Sequence, residues 1–196
     1  MERHARTRWR WLCAAGGALL AGAATVPAAD TERADIEFAG HTYAYTFVSR
    51  LAAPMPLVHA VVTDFDGMRS INDDIVEARV LARYDDGSLK RLLRLKHCIL
   101  MFCFDMDFVE LVTETPGHVA TVMVPGESSF SDGTAAWTIE AVDARHTRVT
   151  VSARQTPRFW IPPVLGPLLL KRVFMREVAE TCANIERIAL TRDRHG

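Results

Sequence analysis

The sequence predicts an α+β domain: a curved antiparallel sheet of about seven strands with a long C-terminal helix on one face. Three observations carry this. Residues 41–51, "HTYAYTFVSRL", alternate and are rich in aromatics, as a half-buried strand should be. Six further strand-like runs follow from Ile75 to Gln155, separated by short turn signals. From Gly166-Pro167 onward the period changes. Leu170, Phe174, Val178, Cys182, Ile185 and Ala189 recur at three- and four-residue steps, which marks an amphipathic helix of some 20 residues. Strands in succession followed by one helix fit a sheet covered on a single face.

The elements follow in order. After the first strand comes "APMPLVHAVVTDFDGM", where Pro56 suits a first helical turn and Leu57, Val58, Val61 and Val62 repeat at helical spacing. Asp64 and Asp66 fit the end of that helix, and a second short helical turn is expected around Met68 to Asn72. From Ile75, Val76, Ala78, Val80, Ala82 and Tyr84 are expected on one strand face and Glu77, Arg79 and Arg83 on the other. Strands are then expected at about 89–98, 103–113, 118–125, 134–142 and 146–155. Asp85-Asp86-Gly87, Pro116-Gly117 and Asp143 to Arg145 serve as turns. The polar face of the last helix carries Lys171, Arg172, Arg176, Glu180, Glu186 and Arg187.

The N-terminus reads as an export signal. Arg3, Arg6, Arg8 and Arg10 make a basic region, Trp11 to Ala24 is mostly apolar or small, and Val26-Pro27-Ala28 fits a cleavage site. A spanning helix needs about 20 apolar residues, so an uncleaved anchor is the weaker alternative. Cys13 has no lipobox around it. Residues 1–29 are therefore expected to be a signal peptide and 30–196 one domain, exported to the periplasm. Cleavage takes four of the 23 basic and one of the 24 acidic residues, leaving 19 and 23, a net charge of −4. That balance argues against a nucleic-acid partner. Cys98, Cys103 and Cys182 remain, and a close pair in an exported chain is a disulfide candidate.

The stretch "KHCILMFCF" (residues 96–104) can be tested as a hairpin. If Cys98 faces Cys103, then Leu95 faces Met106, Leu93 faces Phe108 and Leu89 faces Val112 on an apolar side. Lys96 then meets Asp105 and Arg94 meets Asp107 on the other, each pair contributing roughly 0.2–1 kcal/mol. A slip of one residue scrambles every match. This favours a bridged hairpin over two buried thiols in one continuous strand. Arg91 faces Glu110 on the apolar side. Either it anchors a ligand headgroup, or the two pair with each other near the wet end of the sheet.

Alternate turns of a meander share an end. Ile99, Leu100, Met101 and Phe102, the loop 125–133 with Phe130, and "FWIPPVLGPLLL" with Phe159, Trp160 and Ile161 therefore gather at one end. A clustered apolar patch there fits a ligand gate or membrane-docking rim, or else segments that fold over as core. Other chemistry is not visible. There is no Gly-rich phosphate loop, no nucleophile elbow around Ser128-Ser129 and no metal-ligand spacing among His41, His59, His97, His118, His146 and His195. No cofactor or metal is expected. Cys182 falls on the apolar helix face, as a buried thiol would.

The element order, with "TFVSRLAAPMPLVHAVVTDFDGMRSINDDIVEARVL", resembles the START and polyketide-cyclase (SRPBCC, birch-pollen-allergen-like) superfamily over about His41 to Leu190. The resemblance rests on element order and the "PLVHAVVTDF" helix, not on a catalytic signature. It implies a helix-grip fold whose sheet wraps the long helix around a cavity for apolar ligands. The expected lining is Leu89, Leu93, Leu95, Met106, Phe108, Val122, Trp137, Ile139, Val149 and Val151, with Leu170, Phe174 and Val178 from the helix. The leading expectation is a non-catalytic, monomeric periplasmic carrier of a lipid, sterol or quinone with transient membrane contact. A cyclase-type enzyme using Arg91, His97 and Glu110, with Tyr43 or Tyr45, is the first alternative. An envelope module docking through its apolar end is the second.

Overall fold

The computed structural model describes residues 30–162 and 165–194; the expected export signal, residues 1–29, and His195 lie outside the described residues. The chain runs β1 (Asp30–Ala39), β2 (Thr42–Leu51), α1 (Met55–Val62), a 3-10 turn (Met68–Ser70) and β3 (Ile75–Arg83). β4 (Leu89–Ile99), β5 (Phe102–Thr115), β6 (His118–Met123), β7 (Phe130–Ala141), β8 (Thr147–Pro157) and α2 (Gly166–Asp193) complete it. One antiparallel sheet has the order β1-β2-β8-β7-β6-β5-β4-β3. The fold is α+β, a helix-grip in which the curved, open sheet holds the long C-terminal helix.

Local chemistry accounts for the helices. Pro56 sits in the first turn of α1, where its fixed φ suits the helix and its missing N–H costs nothing. The next two amides, of Leu57 and Val58, both reach the Pro54 carbonyl. Val58, Val61 and Val62 are buried on one face. They join Phe47, Leu51, Phe65, Met68, Ile71, Val149, Cys182, Ile185 and Ala189 in the main core. Among the described residues no helix is long and apolar enough to cross a membrane.

The structure departs from expectation in several places. It has eight strands, because residues 30–39 form β1 along β2. Five charges in ten residues hid that strand, and backbone pairing holds it, through a turn with Gly40 at φ 61. In β3 the register slips between Ile75 and Glu77 and again between Val80 and Ala82. These bulges keep Ala78 and Val80 inward, opposite Leu93 and Arg91, but leave Val76 and Tyr84 exposed. β7 begins at Phe130, so the expected loop 125–133 is shorter and Phe130 is fully buried. On α2, Glu186 belongs to the core side: it is buried and accepts the Ala52 amide at 2.5 Å.

The hairpin β4–β5 has the register that places Cys98 against Cys103, Lys96 against Asp105 and Arg94 against Asp107. The cysteines are bridged, with Cα atoms 4.0 Å apart. Arg94 reaches Asp107 at 2.7 Å and Lys96 reaches Asp105 at 3.8 Å. Ile99 and Phe102 also pair, so the tip is two residues, Leu100-Met101, rather than four.

Candidate functional site

Between the sheet and the first half of α2 lies a cavity of about 250 Å3. Leu93, Leu95, Met106, Phe108, Trp137 and Val151 line it from the strands, and Leu170, Phe174 and Val178 from the helix. Four expected lining residues do not. Leu89, Ile139 and Val149 are buried in the main core, in one cluster with Cys182, Ile185 and Ala189 of α2 and the valines of α1. Val122 is 50% exposed: it pairs with Leu111, which is also exposed, on the outer face, and Thr121 takes the inward position. Aromatic contacts shape the chamber. Phe174 lies 4.9 Å from Tyr43 and 6.4 Å from Tyr45, and Phe159 lies 5.6 Å from Phe104 and 5.7 Å from Phe130.

Arg91 and Glu110, 5% and 3% exposed, are a buried charged pair on the cavity wall. Glu110 Oε2 accepts Arg91 Nε at 2.9 Å and Nη2 at 2.8 Å, and Oε1 accepts the Thr121 hydroxyl at 3.0 Å. Arg91 Nη1 lies 3.0 Å from Met68 Sδ, and the guanidinium sits 5.4 Å from the Phe65 ring centroid. The pair is thus not at a wet end, and its hydrogen bonds are taken up by neighbours. A buried ion pair satisfied in this way is costly to break and poorly placed to seize a headgroup. Tyr43 donates to Gln155 Oε1, and burial holds its hydroxyl well above the ordinary phenol range. Burial, with Glu110 nearby, pushes Tyr45 up to about 12.

His97 belongs to a second polar group. Its Nδ1 bonds Asp74 Oδ2, and Glu177 on α2 completes a set whose ligating atoms lie within 4.8 Å of one another. All three line the cavity. Asp74 is held by its amide on Asn72 Oδ1 and by its carbonyl, which accepts the Lys96 amide. Asn72 in turn donates to Thr181 on α2 at 3.0 Å. Burial raises the Glu177 carboxyl, against the lowering effect of Arg176. His97 Nε2 is buried without a hydrogen-bond partner. Asp74 and Glu177 escaped the sequence reading. One signal was present: Glu177 and Thr181 lie three and seven residues after Phe174, on the helix's inward stripe.

The apolar end is divided. Ile99 is buried with Leu165 and Leu170, and Phe102, Phe104 and Ile161 pack against them. Phe159 is half-buried in the aromatic wall. Exposed at this end are Leu100 (72%), Met101 (84%), Trp160 (69%) and Leu168 (78%). Leu100 holds φ 57, a left-handed conformation that strains a leucine. The expected gate residues therefore split into Ile99, Phe159 and Ile161, which line the cavity, Phe102, which packs against Ile99, Leu165 and Leu170, and Leu100, Met101 and Trp160, which face solvent.

No family model matches the chain, and no curated protein matches it in sequence. Solved structures share its fold. A START superfamily protein from Mycobacterium smegmatis superposes with a TM-score of 0.60 at 19% identity, covering 76% of this chain and 97% of that one. The Zhui aromatase/cyclase from Streptomyces sp. R1128 gives 0.60 at 17% identity, covering 76% and 94%. Human STARD10 gives 0.59 at 8% identity, covering 83% and 76%.

Proposed function

We propose that this chain, a START-type fold, binds an apolar small molecule or lipid in the cavity between its sheet and α2. The observation that supports this best is the cavity of about 250 Å3, walled by aliphatic and aromatic side chains, whose deep polar pair is already satisfied internally. Binding would proceed by partition, each Å2 of apolar surface removed from water contributing about 25 cal/mol. Leu100, Met101, Trp160 and Leu168 would touch a bilayer while ligand passes the mouth, since Trp suits the membrane interface and bare apolar patches are costly in water. The bridged Cys98–Cys103 pair and the basic, apolar N-terminal segment support export to an oxidising compartment, the periplasm, with the chain acting as a monomeric carrier.

Native mass spectrometry of the purified protein, with uptake of labelled lipid from vesicles, tests the reading. A co-purified apolar mass and uptake are expected; finding neither would sink it. Cell fractionation tests the export. The Asp74–His97 pair favours a second reading, a cyclase-type enzyme with His97 as base, since an oriented imidazole in an apolar chamber can move protons. Turnover of an aromatic polyketide that is lost in His97→Leu would establish it.

A further inference from the structure

Asp74, His97 and Glu177 lie 23 or more residues apart in sequence, on the loop before β3, on β4 and on α2, yet converge at one wall of the cavity. Nδ1 of His97 is engaged by Asp74. A carboxylate at Nδ1 fixes the tautomer with its proton there, so Nε2 carries a lone pair. That atom is buried and without a partner, a costly condition unless something in the cavity donates to it. The surrounding charge decides what that donor can be. Of the charged residues lining the cavity, Arg91 is the sole permanent cation, and Glu110 holds it. Asp74 and Glu177 flank the imidazole with carboxyl groups; the exposed Arg176, which does not line the cavity, is held by Glu177 at 3.1 Å. An incoming carboxylate or phosphate would meet like charge and no free cation among the described lining residues.

Resting on the reading of the cavity as an apolar-ligand site, we propose that Asp74, His97 and Glu177 form a headgroup subsite that selects an uncharged hydroxyl-bearing ligand. The ligand hydroxyl donates to His97 Nε2, Asp74 holds the ring in register, and Glu177 turns away anionic ends. A divalent cation would suit the same trio less well. While Asp74 keeps Nδ1, a metal at Nε2 has only Glu177 besides, short of the three protein ligands such ions usually take.

The test is displacement of a neutral apolar dye, Nile red, from the full chain by 1-decanol and by decanoate at neutral pH. Decanol should compete more tightly than decanoate, and His97→Leu should narrow that ratio by roughly tenfold, the loss of one buried hydrogen bond. Glu177→Gln should tighten decanoate more than decanol and so also narrow the ratio, which keeps the test open if His97→Leu does not fold. An unchanged ratio in both variants, with Nile red still bound, would overturn the subsite and leave the cavity standing. Failure of Nile red and both competitors to bind the wild-type chain would instead overturn the cavity reading. A binding heat with zinc chloride alone that His97→Leu abolishes would overturn the hydroxyl assignment in favour of a metal site.

Discussion

The two halves of α2 face the same sheet but meet opposite surroundings. In the C-terminal half, Cys182, Ile185 and Ala189 are fully buried against the sheet and α1. Burial there pushes the Cys182 thiol up to about 12. In the N-terminal half, Leu170, Phe174, Glu177, Val178 and Thr181 line a cavity. The difference lies in what the chain supplies opposite. At one end α1, Phe65, Met68 and Ile71 fill the space under the sheet. At the other, among the described residues, Ile99 and Phe102 of the hairpin tip, Ile161 and Leu165 ahead of α2, and Phe38 of β1 pack around Leu170 at the end of α2 and leave the chamber unfilled. One helix thus gives both a folding core and a cavity wall, as long as a plug is built at one end alone.

Arg91–Glu110 marks the boundary, touching Met68 and Phe65 on the packed side and lining the cavity on the other. Breaking it should have the largest effect. Arg91→Met strands a buried carboxylate and should cost about 3–5 kcal/mol in urea unfolding, most of it recovered by pairing the change with Glu110→Leu. If the single change costs under about 1 kcal/mol, the pair is wet and the boundary is misplaced.

Next come alanine substitutions in the two halves. Ile185→Ala should cost about 3 kcal/mol, because it opens a hole in a packed region. Val178→Ala, which only enlarges an existing cavity, should cost about 1 kcal/mol. Equal costs by chemical denaturation would erase the contrast. At the tip, Cys98→Ser with Cys103→Ser should cost about 2 kcal/mol in the chain-entropy account, since the bridge closes only a short loop. The thermal midpoint reports it, and an unchanged midpoint would mean that the tip is held by Ile99 and Phe102 alone.

The smallest effect is on pH dependence. The Glu177 carboxyl titrates above its ordinary 4.5 in the folded chain, chiefly through burial. Its folded form therefore holds a proton more tightly than the unfolded chain does. The stability it contributes is fully present below the unfolded value and is lost as pH rises through the folded one. Glu177→Gln should flatten that fall across the mildly acidic range in urea midpoints taken against pH. A wild-type slope that persists in the variant would assign it elsewhere.

Short-range patterns made much of this legible. The helical recurrence of Leu170, Phe174, Val178, Cys182, Ile185 and Ala189 places all six on the inner face of α2. Charge matching across the hairpin is strong enough to set β4 against β5 residue by residue, because a slip would misplace every pair. Where these rules misled, the cause was local. Val122 is apolar but sits outward with Leu111 on the ladder, and β1 is too charged to resemble a strand until β2 lies beside it.

By itself the sequence determined the order of elements from β2 onward, the hairpin register and the buried stripe of α2, all of which depend on periods of two or 3.6 residues and on neighbours across a tight turn. Only the tertiary structure decided which part of that stripe is packed and which is cavity, and which polar groups meet there. Asp74, His97 and Glu177 are brought together by the curvature of the sheet and the path of α2 across it. Those depend on how the whole chain closes, and no local repeat encodes them.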